Sequence, residues 1–147
     1  MPDRNQRVDV LGVGVSALNL ESAKKTILER LERRQKGYIC VTGVHGVIEA
    51  QDDSKFRNIL NESFLTTPDG MPMVWISWLR KHHEVDRVYG PDLMLEMAAA
   101  TRDGKFTHFL YGGRPGIGVA TAEVGGALSR HPDCRHLHPS LWAAVGR

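Results

Sequence analysis

The chain has 147 residues, 41% of them hydrophobic and 24% charged, which suits one globular domain with a sizeable core. A formal net charge of +2, with basic and acidic residues interleaved, is too small for a nucleic-acid footprint, so no nucleic acid is expected as a partner. Two cysteines, Cys40 and Cys134, make no disulfide framework, neither stands at zinc-ligand spacing, and no stretch approaches the ~20 apolar residues that span a bilayer.

Residues 1–7 are polar and lack the apolar centre of a secretion signal. Residues 8–15 alternate loosely and are rich in valine, which predicts one strand bent at its glycines. Gly12-Val13-Gly14 opens like a dinucleotide fingerprint, but Ala17 stands in the third glycine's place and no helix follows directly. Asn19 reads as the N-cap of a helix reaching about residue 35. Leu20, Ala23, Ile27, Leu28 and Leu31 would form its apolar face, with Gly37 as the stop. Arg30, Arg33, Arg34 and Lys36 crowd its end, where cations suit the helix dipole.

Tyr38-Ile39-Cys40-Val41-Thr42 is a continuous apolar run, expected as a strand buried on both faces. Gly43-Val44-His45-Gly46 reads as a glycine loop, followed by a helix over about 47–51. Backbone N–H groups at such a junction can hold phosphate oxygens. Thr42 and His45 are its polar side chains, the histidine serving either a ligand or a structural hydrogen bond. Residues 52–61 predict another helix with Phe56, Ile59 and Leu60 inward.

Residues 64–67 predict a short strand, and Pro68 keeps Thr67 extended. Asp69-Gly70 is a turn pair, and residues 71–79 read as a helix with Pro72 in its first turn. A carboxylate is thus held at the carboxyl end of a strand, the edge where open α/β sheets bind ligands. Asp69 could instead cap the helix, accepting backbone N–H bonds.

His82 and His83 are adjacent rather than four apart, which argues against a metal site. Arg87 precedes Gly90-Pro91-Asp92 and could meet a diphosphate with its planar fork or simply pair with a surface acid. Pro91 suits the first position of a helix reaching Gly104, with its methionines in the core. Residues 106–111 predict a strand running into Gly112-Gly113-Arg114-Pro115-Gly116, then a helix over about 119–130 and the entry to one more strand at 132–137. The glycine loop lacks the Lys-Ser/Thr of a P-loop. Residues 138–147 show no period.

Repeated strand–loop–helix units predict an α/β fold with a mainly parallel sheet and helices on both faces, a Rossmann-like sandwich. It is expected as a single domain over 1–147. Thr42, Asp69 and Gly112 each follow a predicted strand, so parallel neighbours would bring them to one edge.

Four segments together resemble one family. They are Val41-Thr42-Gly43-Val44-His45-Gly46-Val47, Thr67-Pro68-Asp69-Gly70-Met71-Pro72, Asp86-Arg87-Val88-Tyr89-Gly90-Pro91-Asp92-Leu93-Met94, and Phe109-Leu110-Tyr111-Gly112-Gly113-Arg114-Pro115-Gly116. Their order and spacing look like the WecG/TagA/CpsF glycosyltransferases over roughly residues 8–136. The resemblance implies an inverting transfer of a sugar such as N-acetylmannosamine from a UDP-sugar to a polyprenyl-diphosphate-linked acceptor, in bacterial exopolysaccharide or wall-polymer synthesis. It implies a cytoplasmic enzyme, peripheral on the inner face of the plasma membrane, with no cofactor and no metal. A second copy of the chain is an optional partner. Asp69 matches the proposed base, and Thr42 a pocket threonine. Arg87 matches an arginine that steadies the leaving diphosphate. Substrate-binding roles would extend to His45, Gly70, Asp92, Gly112 and Gly113. Relatives continue for several dozen residues beyond the position of His136, so the expected domain is incomplete at its C-terminal end. The competing expectation is a catalytically inactive truncated remnant that at most binds a nucleotide.

Overall fold

The computed structural model describes residues 6–103 and 105–108. The chain divides into two units, Met1–Leu93 and Met94–Arg147.

The core of the first unit forms around a hairpin where one bent strand was expected. β1 (Arg7–Val10) and β2 (Val13–Ser16) are antiparallel, with Val8 opposite Val15 and Val10 opposite Val13. The two residues between them, Leu11 (φ 53°) and Gly12 (φ 84°), are both left-handed. That turn matches the natural twist of paired strands. Glycine takes it easily, whereas Leu11 gives up about 1–2 kcal/mol to its Cβ contact. The hairpin still wins. It buries four valines on one face, against Val47, Ala50, Leu60 and Met73, at about 1.5–3 kcal/mol for each fully buried valine. Gly12 and Gly14 therefore lie in a turn and a strand, not at the strand-to-helix junction a dinucleotide fingerprint needs.

Helix α1 (Leu20–Glu32) opens on the expected cap. Ser22 N–H donates to Asn19 Oδ1 at 3.0 Å, and Asn19 N–H donates to Ser22 Oγ at 2.9 Å. It ends earlier than residue 35. Arg34 turns left-handed at φ 52°, its N–H reaches Leu31 O at 2.9 Å, and Gln35 N–H reaches Arg30 O at 3.1 Å. This pair of bonds closes the helix with arginine where glycine is usual, so Gly37 is not the stop.

β3 (Ile39–Thr42) and β4 (Leu65–Pro68) form a parallel pair in which Thr42 stands beside Pro68. Between them run α2 (Val44–Asp52) and α3 (Ser54–Glu62), separated by Asp53, whose carboxylate caps α3 by accepting from Lys55 and Phe56 N–H. Phe56 and Leu60, four apart, face inward, while Ile59 faces out and is 51% exposed, contrary to expectation. Thr66 N–H donates to Ser16 Oγ at 3.0 Å and ties β4 to the hairpin. Arg7 ties the hairpin to the end of α3, donating to Gly14 O at 3.0 Å and Asn61 O at 3.2 Å. A cation there also suits the dipole.

β4 is buried throughout, but β3 is not buried on both faces: Val41 is exposed, and Ile39 and Cys40 are half-buried. Among the described residues β3 has one strand neighbour, β4. Burial pushes the Cys40 thiol up, so it stays protonated at neutral pH. The described architecture is thus mixed α/β with one antiparallel and one parallel pair.

α4 (Met71–Leu79) matches expectation. α5 (Gly90–Ala100) carries the chain from the first unit's sequence into the second's and stops before Gly104. Its methionines are not core: Met94 is exposed and Met97 half-buried. In the second unit Thr101 is buried, and its Oγ1 lies 2.6 Å from His108 Nε2. Residues 106–108 are not in a strand, with a bend at Phe106, and the rest of the expected strand, 109–111, lies outside the described residues. Gly112, Gly113, the helix at 119–130, the strand at 132–137 and the segment 138–147 lie outside the described residues.

Two substitutions test this reading. Arg34→Gly should raise stability by about 0.5–1 kcal/mol in denaturant unfolding, because relief of the left-handed strain exceeds glycine's entropy cost. Gly43→Ala should do the reverse. A Cβ on Gly43 would lie 2.7 Å from Asp69 O, a rigid backbone atom. The expected loss of about 1–3 kcal/mol exceeds the ~0.4–1 kcal/mol that Gly→Ala returns through the unfolded chain.

Candidate functional site

The site begins where β3 and β4 end. Asp69 follows β4 directly, and its N–H donates to Thr42 O at 3.0 Å. That bond extends the parallel pairing by one step and fixes the Asp69 backbone. On the other side, Gly43 has no side chain to keep it from the Asp69 carbonyl. Gly70 comes next at φ 110°, a conformation strained for any residue with a Cβ. Gly70 is the N-cap of α4, and no side chain caps that helix. The capping role open to Asp69 in the sequence is therefore not taken: its carboxylate is not hydrogen-bonded to the helix N-terminus. About a third of the side chain is exposed.

Arg87 comes to this carboxylate from a separate segment. Val85 and Val88 on either side of it are buried, Val88 N–H donates to Pro68 O at 2.8 Å, and Asp86 N–H donates to Leu18 O at 3.3 Å. The strand end thus holds the segment in register. Arg87 N–H donates to Asp86 Oδ1 at 2.7 Å, and the guanidinium lies 4.6 Å from the centre of the Tyr89 ring. Arg87 Nε is 3.7 Å from Asp69 Oδ1, an ion-pair distance too long for a hydrogen bond. Both side chains are partly exposed, so the pair contributes only about 0–1 kcal/mol to stability. What the arrangement provides is an accessible carboxylate beside a cation with unfilled donor capacity: a proton acceptor next to an anion binder.

The other expected residues fall at several places. Thr42 is buried, and its carbonyl does the positioning of Asp69. His45 lies in the first turn of α2, exposed, not in a loop. The glycine loop expected at 43–46 is one residue long, because α2 starts at Val44 and Gly46 is inside it, where a Cβ would meet Thr42 Cγ2 at 3.1 Å. Asp92 is exposed in the first turn of α5, where an acid suits the dipole. Gly112 and Gly113 lie outside the described residues. Sequence reasoning passed over Tyr89 and Val88. The signal for both was local: an arginine and a tyrosine two apart in an extended segment share a side, and the valine between them turns inward.

Among the described residues no group of three or more His, Cys, Asp or Glu could hold a metal ion, and no helix is long and apolar enough to cross a membrane.

No curated protein matches the chain. The model of the glycosyl transferase WecG/TagA/CpsF family matches residues 8–135, a span that includes Thr42, Asp69 and Arg87. The chain belongs to the WecG/TagA/CpsF family of glycosyl transferases.

Proposed function

We propose that this chain transfers a sugar, N-acetylmannosamine or one like it, from a UDP-sugar to a polyprenyl-diphosphate-linked acceptor, with inversion at the anomeric carbon. The reading has the enzyme working at the inner face of a bacterial membrane in exopolysaccharide or wall-polymer synthesis. The observation that carries it is the Asp69 carboxylate, partly exposed, not engaged as a cap of α4, and 3.7 Å from Arg87.

The chemistry needs both groups. As the acceptor hydroxyl attacks the anomeric carbon, the bond to the UDP oxygen breaks and the hydroxyl proton must leave. Asp69 accepts that proton. Charge builds on the departing diphosphate, and Arg87 is the cation within reach of it. The Tyr89 ring beneath the guanidinium limits where the arginine can swing. Arg87 then exchanges a loose pairing with Asp69 for a fork of bonds to phosphate oxygens, which are stronger because they are charged and bidentate. Gly70, Thr42 and His45 line the approach on this reading, Asp92 stands at the α5 N-terminus, and the family resemblance adds nucleotide-binding roles for Gly112 and Gly113.

Asp69→Asn should lower kcat by about 10²–10⁴ while leaving UDP affinity within a few-fold, in a transfer assay with UDP-N-acetylmannosamine and a lipid-diphosphate sugar. An unchanged rate in that variant would exclude Asp69 as base, whereas no measurable transfer by the parent chain would favour the inactive-remnant reading. Arg87→Ala should lower kcat by about 10²–10³ and also weaken UDP in calorimetry. No UDP binding at millimolar concentration by the parent chain would end the proposal.

A further inference from the structure

Beside Arg87 lies an open groove of about 530 Å³, within the first unit. Its walls include Asn19 and Glu21 at the start of α1, Trp78 of α4, and Glu84, Asp86 and Arg87. The size is that of a small-molecule site. Three features decide which small molecule.

The first is charge. Glu21, Glu84 and Asp86 contribute three carboxylates, against one permanent cation, Arg87, and the imidazole of His83. That excess of negative charge disfavours a phosphate and favours a neutral ligand rich in O–H donors. The carboxylates retain acceptor capacity despite their neighbours. Glu21 pairs with Lys24 at 2.7 Å, Glu84 with His82 at 3.1 Å, and Asp86 Oδ1 accepts from Arg87 N–H, yet each carboxylate has about four lone-pair sites. The second feature is Trp78. It is 41% exposed, and its indole N–H donates to Val85 O at 2.9 Å. Its polar atom is engaged, so what it offers a ligand is ring surface for C–H groups. The third is position: Arg87 is at once a wall of the groove and the neighbour of Asp69.

A flat apolar ring among hydroxyl acceptors suits a molecule with C–H groups on one face and O–H groups around its edge. We propose that this groove seats a neutral sugar ring of one of the transferase's substrates, the part that carries no phosphate. The proposal rests on the reading of Asp69 as the transferase base only for the ring's role; its binding is separately testable.

The test is nuclear magnetic resonance of the ¹⁵N-labelled full chain, following the Trp78 indole N–H, assigned by its loss in Trp78→Phe. Three probes are titrated: UDP, UDP-N-acetylglucosamine, and the methyl glycoside of N-acetylglucosamine. The Trp78 signal should shift saturably with a sugar-bearing probe at millimolar concentration and stay still with UDP. A shift with the methyl glycoside assigns the groove to the acceptor's sugar, and a shift with the UDP-sugar alone assigns it to the donor's. Glu84→Gln, which keeps the shape and removes the charge, should weaken the responding probe about fivefold. If neither sugar moves Trp78 while UDP shifts the amides around Asp69, the groove proposal is overturned and the transferase reading stands. If UDP shifts nothing but a sugar moves Trp78, the groove stands and the UDP-sugar reading fails.

Discussion

The structure of the first unit turns on one hydrogen bond at the end of a two-strand pair, Asp69 N–H to Thr42 O. It fixes the backbone of Asp69, the residue proposed as the base, and it is a backbone bond, independent of any ligand. Its cost falls on the neighbours. The Asp69 carbonyl must pass so close to Gly43 that no Cβ fits, and the chain must then turn through Gly70 at φ 110°. Two glycines flank the bond because the strand end, the turn and two helix starts share one small volume. Both are there for space and conformation, and neither is needed as a ligand to explain its presence.

The same geometry explains why the carboxylate is available. An aspartate immediately before a helix is ordinarily drawn into capping, at about 1 kcal/mol of stability. Here Gly70 stands between, takes the N-cap position itself and points the backbone away. The helix goes without a side-chain cap, and the carboxylate stays beside Arg87. That is a local loss of stability at a chemically equipped position, the pattern expected where a side chain is held for a task other than folding. The hairpin core offsets it: four valines and the helices packed on them stabilise by far more than one missing cap.

How much of this was legible in the residues depended on whether the deciding force was local. β4, Asp69 and α4 were readable because Pro68, Asp69-Gly70 and Pro72 each constrain φ or the hydrogen-bond count within a residue or two. The Asn19 cap was readable for the same reason. The hairpin was not. Nothing in Leu11 signals a left-handed conformation, and only the burial of valines on both sides of it forces one. The end of α1 falls short of Gly37 because Arg34 adopts the glycine-like position. The loop at 43–46 is shorter than glycine's reputation as a break suggests, because Gly46 lies within α2 and the space it leaves is filled by the Thr42 methyl. In the hairpin tertiary packing overrides local preference, whereas at Arg34 and Gly46 the deciding contacts are short-range, the Arg34 and Gln35 N–H bonds back into α1 and the Thr42 methyl beside Gly46.

Arg87 shows how the two kinds of information combine. Its residue type announces an anion partner, but its sequence neighbour Asp86 offered a simple pairing that would have closed the question. The structure resolves that choice by dividing the contacts. Asp86 takes the Arg87 backbone N–H, and the guanidinium is left to Tyr89 and, loosely, to Asp69. A guanidinium carries five N–H donors, and a single Nε contact at 3.7 Å does not amount to a strong bond for any of them. The ring contact restricts the cation without filling those donors. An arginine anchored through its backbone and steadied through its flat face loses little further freedom when an anion arrives. That preorganisation follows from buried Val85 and Val88, so the reach of the charged group is set by two apolar residues that face away from it.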